Sequence, residues 1–208
     1  MQGQQKLIYV GDPMCSWCYG FAPQLDELVK RYENKFEIEL VTGGLRPYNQ
    51  TPIQEMKEFL ANHWAEVNKR SKQAFQYGIL DRKDLVYDTE PACRAVVVVR
   101  HMNPAKEFEF FKLTQEAFYY QNENLGEVAS YYPILDKLGL DQRVFEKQFT
   151  SEKFKALVKK DFERASALGV RGFPSMLLES NGELIVLSRG YTTAEQIEEL
   201  IQTALKQK

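Results

Sequence analysis

Cysteine and histidine are both scarce in this chain of 208 residues, which holds three of the one and two of the other. Three cysteines are too few for a four-cysteine zinc site, and His63 and His101 stand at no ligand spacing from them. No metal is therefore expected. Long hydrophobic runs are missing too. None approaches the ~20 residues of a membrane span, so no membrane segment is expected. The first residues, Met1-Gln2-Gly3-Gln4-Gln5-Lys6, carry no apolar signal core and no small-residue cleavage site, and a cytoplasmic location is the reading. An excess of basic charge is also absent. The 27 lysines and arginines face 29 acids, a net charge of -2, which leaves no basic field for nucleic acid.

What is present suits a large core. Apolar residues make up 44% of the chain, and the 27% that are charged form an ordinary polar surface. The length fits one large domain, or a core domain carrying an insertion. Nothing in the pattern specifies an oligomeric state.

Against this background Cys15-Ser16-Trp17-Cys18 stands out. It follows the apolar run Leu7-Ile8-Tyr9-Val10 and opens an amphipathic helical pattern. Two cysteines at this spacing on the first turn of a helix can close a small reversible disulfide. Unpaired backbone N–H groups and the helix dipole favour negative charge on the outer one, and the thiolate is the form that attacks disulfides. A close cysteine pair in a cytoplasmic protein points to redox chemistry or metal binding rather than a structural bridge.

Residues 6–11 read as a buried strand. Residues 18–32 read as a helix with Phe21, Leu25, Leu28, Val29 and Tyr32 inward, kinked at Pro23. Residues 36–42 alternate as a half-buried strand. From Thr51-Pro52 the pattern turns helical, with Ile53, Met56, Phe59, Leu60, Trp64 and Val67 in one stripe. Further helices are expected over 90–102, 104–121, 127–138 and 141–149. The run Val96-Val97-Val98-Val99 would also suit a strand, but Thr89 and Pro91 look like a helix start. The last third returns to α/β. A helix over 151–168 closes at Gly169. A hairpin of 175–179 and 184–188 turns at Asn181-Gly182. A final helix over 193–206 has Ile197, Leu200, Ile201 and Leu205 inward.

This order resembles a thioredoxin fold interrupted by a large all-helical insertion, the α/β arrangement of the DsbA-like family. The thioredoxin-like part would be residues 1–50 and 151–208, and the insertion 51–150. Pro23, Phe173-Pro174 and Gly190 match the family at the helix kink, the cis-proline and the bend before the last helix. Asp12-Pro13-Met14-Cys15-Ser16-Trp17-Cys18-Tyr19-Gly20-Phe21 and Gly169-Val170-Arg171-Gly172-Phe173-Pro174-Ser175 look most like a signal-less bacterial branch. Its members are often described as protein-disulfide isomerases. It lies near the FrnE-like proteins, the 2-hydroxychromene-2-carboxylate isomerases and the kappa-class glutathione transferases.

The resemblance implies roles. Cys15 would be the exposed nucleophile and Cys18 the less exposed resolving thiol. Ser16 and Trp17 hold the tuning positions, where DsbA itself has a histidine that helps stabilise the thiolate. No cation stands between the cysteines here. Trp17 either contacts substrate or packs on the helical block. The place of the family's buried acid, six residues before the first cysteine, is taken by Tyr9. Asp12 is the nearest acid; it caps the helix or shapes the turn, with proton relay the competing role. Pro174 would be cis and would present the Phe173 backbone to an extended substrate; a plain trans proline is the alternative. Phe173 departs from the usual small or β-branched residue and would narrow or grease the groove. Cys93 is a packed helix cysteine or a third redox thiol. His63 and His101 read as surface or packing residues, and the aromatics from Phe108 to Tyr120 as the insertion core.

The implied function is thiol–disulfide exchange with protein, peptide or small-thiol substrates. No metal or organic cofactor is required, and glutathione or another small thiol could recycle the pair. One alternative is a glutathione-dependent isomerase or transferase on the same fold. Such relatives commonly have serine at the Cys15 position. The other is a non-catalytic role in holding client proteins or a soft metal.

Overall fold

In the computed structural model, which describes residues 5–206, strand β1 (Lys6–Gly11) is followed by helix α1 (Ser16–Tyr32) and strand β2 (Glu37–Thr42). Met1 to Gln4 and the last two residues, counted above in the thioredoxin-like part, lie outside the described residues. Five helices come next: α2 (Lys57–Ser71), α3 (Glu90–Met102), α4 (Glu107–Tyr119), α5 (Tyr132–Leu138) and α6 (Gln142–Phe149). The chain ends with α7 (Glu152–Ala167), β3 (Ser175–Ser180), β4 (Glu183–Arg189) and α8 (Ala194–Lys206). This is an α/β thioredoxin fold with a helical insertion.

The sheet runs β2-β1-β3-β4, with β1 parallel to β2 and antiparallel to β3. Strand alternation sends Leu7, Tyr9, Met176 and Leu178 to one face, where they meet Phe21, Leu25 and Leu28 of α1 and Ile197 and Ile201 of α8. Ile8, Val10, Val41 and Leu177 go to the other face and meet Ala165 of α7. Asn181 and Gly182 both have positive φ, 53° and 81°, as the tight hairpin between β3 and β4 requires.

Several boundaries differ from the sequence reading. α1 begins at Ser16, two residues early, because Cys15 and not Cys18 is the N-cap. The segments after Thr51, Asn103 and Glu127 each open as a turn of 3-10 helix before α2, α4 and α5. Phe59 and Leu200, read as inward, are exposed to 59% and 44%. Each lies one residue, or about 100° of helix, from a buried neighbour, Leu60 and Ile201.

The valine run is helical because α3 is surrounded. It packs against α4, α6, α7 and β2, and every residue from Ala92 to Val99 is buried. An amphipathic pattern is not needed for a helix with no solvent face. Arg100, near its end, ties three elements together. It pairs with Glu107 at 2.6 Å and Asp161 at 2.9 Å and donates to the Leu40 carbonyl at 2.8 Å. Asp161 also accepts from the Thr42 N–H and hydroxyl, each at 3.0 Å, so the end of edge strand β2 is covered.

α1 and α2 approach closely at Gly20, where an added Cβ would stand 2.7 Å from Val67. Three residues on, Pro23 lies inside α1 and has no N–H for the Tyr19 carbonyl. Gln73 Nε2 donates to that carbonyl instead, at 3.1 Å. Helix α1 continues unbroken through Pro23, with a bond to that carbonyl supplied from the insertion.

Candidate active site

The cysteine pair sits where β1 ends and α1 begins, so sheet packing on one side and helix packing on the other hold it. Cys15 is the N-cap, with φ -91° and ψ 116°. Its N–H donates to the Asp12 carbonyl at 3.1 Å, and its own carbonyl accepts from Tyr19 at 3.0 Å. No side chain caps this helix end, and its first turn holds no acid. The expectation of helix capping by Asp12 fails for that reason; the turn-shaping role is the one the geometry shows. The Asp12 carboxylate is fully buried and accepts the Met14 N–H at 2.8 Å and the Leu45 N–H at 2.6 Å. The Cys93 thiol donates to it at 3.3 Å. Burial pushes the Asp12 carboxyl above its usual range, although the two N–H groups pull the other way.

All three cysteines are free thiols. Cys15 is less exposed than expected, at 5%, but it lines an open cleft of about 290 Å³. Cys18 lies one turn deeper and is fully buried. Burial raises its proton affinity well above that of an ordinary thiol, and the neighbouring Cys15 adds to this, while the Tyr9 hydroxyl opposes it. Cys93 belongs to the core, and burial and the Asp12 charge hold it firmly protonated. It is thus a packed helix cysteine that also braces the Asp12 loop.

Gly172 and Phe173, in the loop just before β3, line the same cleft as Cys15. The Phe173–Pro174 peptide is cis, and the Phe173 carbonyl lies 3.7 Å from Cys15 Sγ, within reach of a weak S–H donor. Phe173 takes its position because Gly43 has no side chain: a Cβ there would stand 2.0 Å from the ring. Beyond Pro174, its carbonyl accepts from Gly190 at 2.7 Å, and Gly190 has φ 88°.

The insertion closes the cleft. Tyr87 donates its hydroxyl to the Met14 carbonyl at 2.7 Å. Leu45, Arg46, Phe59, Leu60, His63, Tyr87, Trp17 and Ser16 are further lining residues. Trp17 packs on the helical block and also stands on the cleft. Its ring packs edge-on against His63, 5.9 Å away, and it also lines the cleft and a second hollow with Arg70, Phe173 and Tyr191. His63, read from the sequence as a surface or packing residue, faces the cysteines' cleft, whereas His101 packs against Phe154 at 5.2 Å. The i, i+4 spacing of Phe59 and His63 was the available signal. Placing Phe59 in the core stripe concealed it.

A DSBA-like thioredoxin domain model matches residues 6–202. The chain belongs to the DSBA-like thioredoxin domain family. A protein from Nitrosomonas europaea, provisionally named a protein disulfide isomerase, is 33% identical over 98% of each chain, with a TM-score of 0.89. The cytosolic disulfide reductase DsbM from Pseudomonas aeruginosa shares the fold at 23% identity, over 98% of this chain and 100% of its own, with a TM-score of 0.81. A 2-hydroxychromene-2-carboxylate isomerase shares it at 13% identity, over 97% and 95% of the two chains, with a TM-score of 0.63. No curated protein matches the chain by sequence. Membership of this DSBA-like family supports an enzyme of the thiol–disulfide oxidoreductase kind. Among the described residues no helix is long and apolar enough to cross a membrane, and no three His, Cys, Asp or Glu side chains are grouped to hold a metal ion.

Proposed function

We propose that this DSBA-like protein exchanges disulfides through Cys15 and Cys18. The observation that carries the reading is the placement of Cys15 Sγ on an open cleft, 3.7 Å from the Phe173 carbonyl, with Cys18 sealed behind it. The Cys15 thiolate attacks one sulfur of a substrate disulfide. That S–S bond breaks, and the other substrate sulfur leaves as a thiolate and takes a proton from water. Cys18, once deprotonated, attacks the Cys15 sulfur of the mixed disulfide. The Cys15–Cys18 bond forms, the substrate is released as a thiol, and the substrate has been reduced while the pair has been oxidised. The reverse sequence oxidises a dithiol. Ser16 and Trp17 shape the rim, Asp12 fixes the turn, and Phe173 and Pro174 align an extended peptide by its backbone. No metal or organic cofactor enters these steps.

A small thiol is proposed to regenerate the dithiol. A structure of DsbM is described as holding glutathione. Here Arg46, exposed on the rim of the cleft and without an ion-pair partner among the described residues, would suit a thiol bearing carboxylates. A cytoplasmic location fits this use of glutathione. The test is a titration in glutathione redox buffers with trapping of free thiols. A reversible Cys15–Cys18 disulfide, absent from Cys15→Ser and Cys18→Ser variants, is expected. Failure of the pair to oxidise in any buffer would leave a client-binding role instead.

A further inference from the structure

A second hollow, of about 230 Å³, shares Trp17 and Phe173 with the cysteine cleft and is completed by Arg70, Gly190 and Tyr191. The two hollows adjoin at the shared rings. Gly190 takes φ 88° where the chain leaves β4, and a Cβ there would meet nothing within 4 Å, so this wall is open. The Tyr191 ring stands edge-on to Phe21 at 6.4 Å and 6.1 Å from Trp17, so α1 holds the aromatic side of the hollow in place.

Arg70 brings the only charge to this lining. It projects from the last turn of α2 and is exposed. Glu66 lies one turn back on the same helix, the spacing of a common ion pair. The guanidinium lies over the Tyr191 ring instead, 5.5 Å from its centroid. It has no carboxylate partner and no hydrogen-bond acceptor among the described residues. A ring beneath an arginine restrains it and leaves its N–H edge open to an anion. The cysteine cleft is lined in the same sense, with Arg46 and no acid. In a chain of net charge -2, both hollows beside the thiol pair thus carry arginine and no carboxylate.

We propose that the second hollow is a specificity subsite, in which Arg70 receives the carboxylate of a glutamate or aspartate side chain close to the reacting cysteine of a peptide substrate. This rests on the exchange reading, with the peptide aligned along Phe173. A strand lying on Phe173 has one direction, so residues on one side of its cysteine extend toward Arg70 and those on the other side do not. The aliphatic part of the acidic side chain covers Trp17 and Tyr191, and its carboxylate accepts from the guanidinium. Attraction of this kind at an exposed site is modest and weakened by salt, so the subsite selects among peptides rather than holding them.

The experiment uses the full chain and synthetic cysteine peptides carried as thionitrobenzoate mixed disulfides. Glutamate, glutamine, lysine or phenylalanine stands two residues before the cysteine in one series and two residues after it in the other. Each rate of chromophore release is divided by that peptide's rate with dithiothreitol, and peptides are compared within one protein, so differences in thiol reactivity cancel. At low salt the glutamate peptide should react about threefold faster than the glutamine peptide in one series, and the lysine peptide about threefold slower. That preference should fade in about 0.5 M sodium chloride. It should vanish in Arg70→Ala and reverse in Arg70→Glu, where the lysine peptide leads. Equal rates in the unsubstituted protein, or a preference that Arg70→Ala retains, overturn the proposal and leave the exchange reading standing. A phenylalanine peptide that outruns glutamate in both the unsubstituted protein and Arg70→Ala makes the hollow an apolar pocket, and overturns it as well. No reaction with any peptide overturns the exchange reading itself, and the proposal with it.

Discussion

Asp12→Ala should loosen the loop that carries the cysteine pair, and the size of the effect can be worked from its bonds. The carboxylate accepts from Met14 N at 2.8 Å, Leu45 N at 2.6 Å and Cys93 Sγ at 3.3 Å. A hydrogen bond to a charged group contributes about 1.5–3 kcal/mol, so the two N–H bonds contribute roughly 3–6 kcal/mol, and the thiol adds little. Burying the carboxylate opposes this, as its raised proton affinity shows. Alanine removes that opposition along with the bonds. The net destabilisation expected is about 2–4 kcal/mol. Asp12→Asn is the sharper test. Both oxygens accept in the native loop, so an amide satisfies one N–H and turns its own NH₂ against the other donors. Asparagine should therefore destabilise by about as much as alanine, despite its matching shape. Urea unfolding at neutral pH, followed by fluorescence, measures both. An asparagine variant within about 0.5 kcal/mol of the parent would refute the two-oxygen acceptor geometry.

Other expectations concern the cleft and the brace behind it. Gly43→Ala puts a Cβ into the Phe173 ring and should destabilise by about 1–3 kcal/mol and slow peptide exchange; the double variant Gly43→Ala, Phe173→Ala should recover part of the stability in the same unfolding assay. Trp17→Ala, at a half-buried position, should lower stability by about 2 kcal/mol, less than the ~3–5 of a fully buried tryptophan, and should slow exchange with a peptide more than with a small reagent, as paired rate measurements would show. Glu107 is held protonated to about pH 7 by burial, against a usual 4.5, despite its pairing with Arg100. The folded state then binds a proton that the unfolded chain has released, so this group's contribution to stability falls as pH rises from about 4.5 to about 7. Glu107→Gln should flatten that part of the stability–pH curve, and a steeper fall in the variant would contradict the assignment.

The strands and the paired thiols were legible because local signals agreed. The apolar run of β1, the alternation in β2, Asn181-Gly182 at the hairpin, and two cysteines at a helix start each point one way. The rest was less legible because it depends on packing. Phe59 and Leu200 look like core residues by type, and only the rotation of their helices places them outward. Asp12 reads as a helix cap by position, yet Leu45 and Cys93, distant in sequence, claim its oxygens. His63 has no motif at all. It reaches the cleft because Gly20 lets α2 lie close to α1. Arg46 and Tyr87 arrive there through the joining of the loop after β2 to the start of α3, by Thr89 Oγ1 accepting from Arg46 N at 3.0 Å. Such placements are tertiary facts, and periodicity carries none of them.

The central claim is that Cys15 meets substrate and Cys18 resolves it. Its most direct test is trapping of mixed disulfides in cells, with adducts mapped by mass spectrometry. Cys18→Ser should accumulate adducts on Cys15, through the sulfur that lines the cleft. Cys15→Ser should accumulate almost none, because Cys18 is closed to solvent. Adducts on Cys18 in the Cys15→Ser protein, or none on Cys15 in the Cys18→Ser protein, would contradict it.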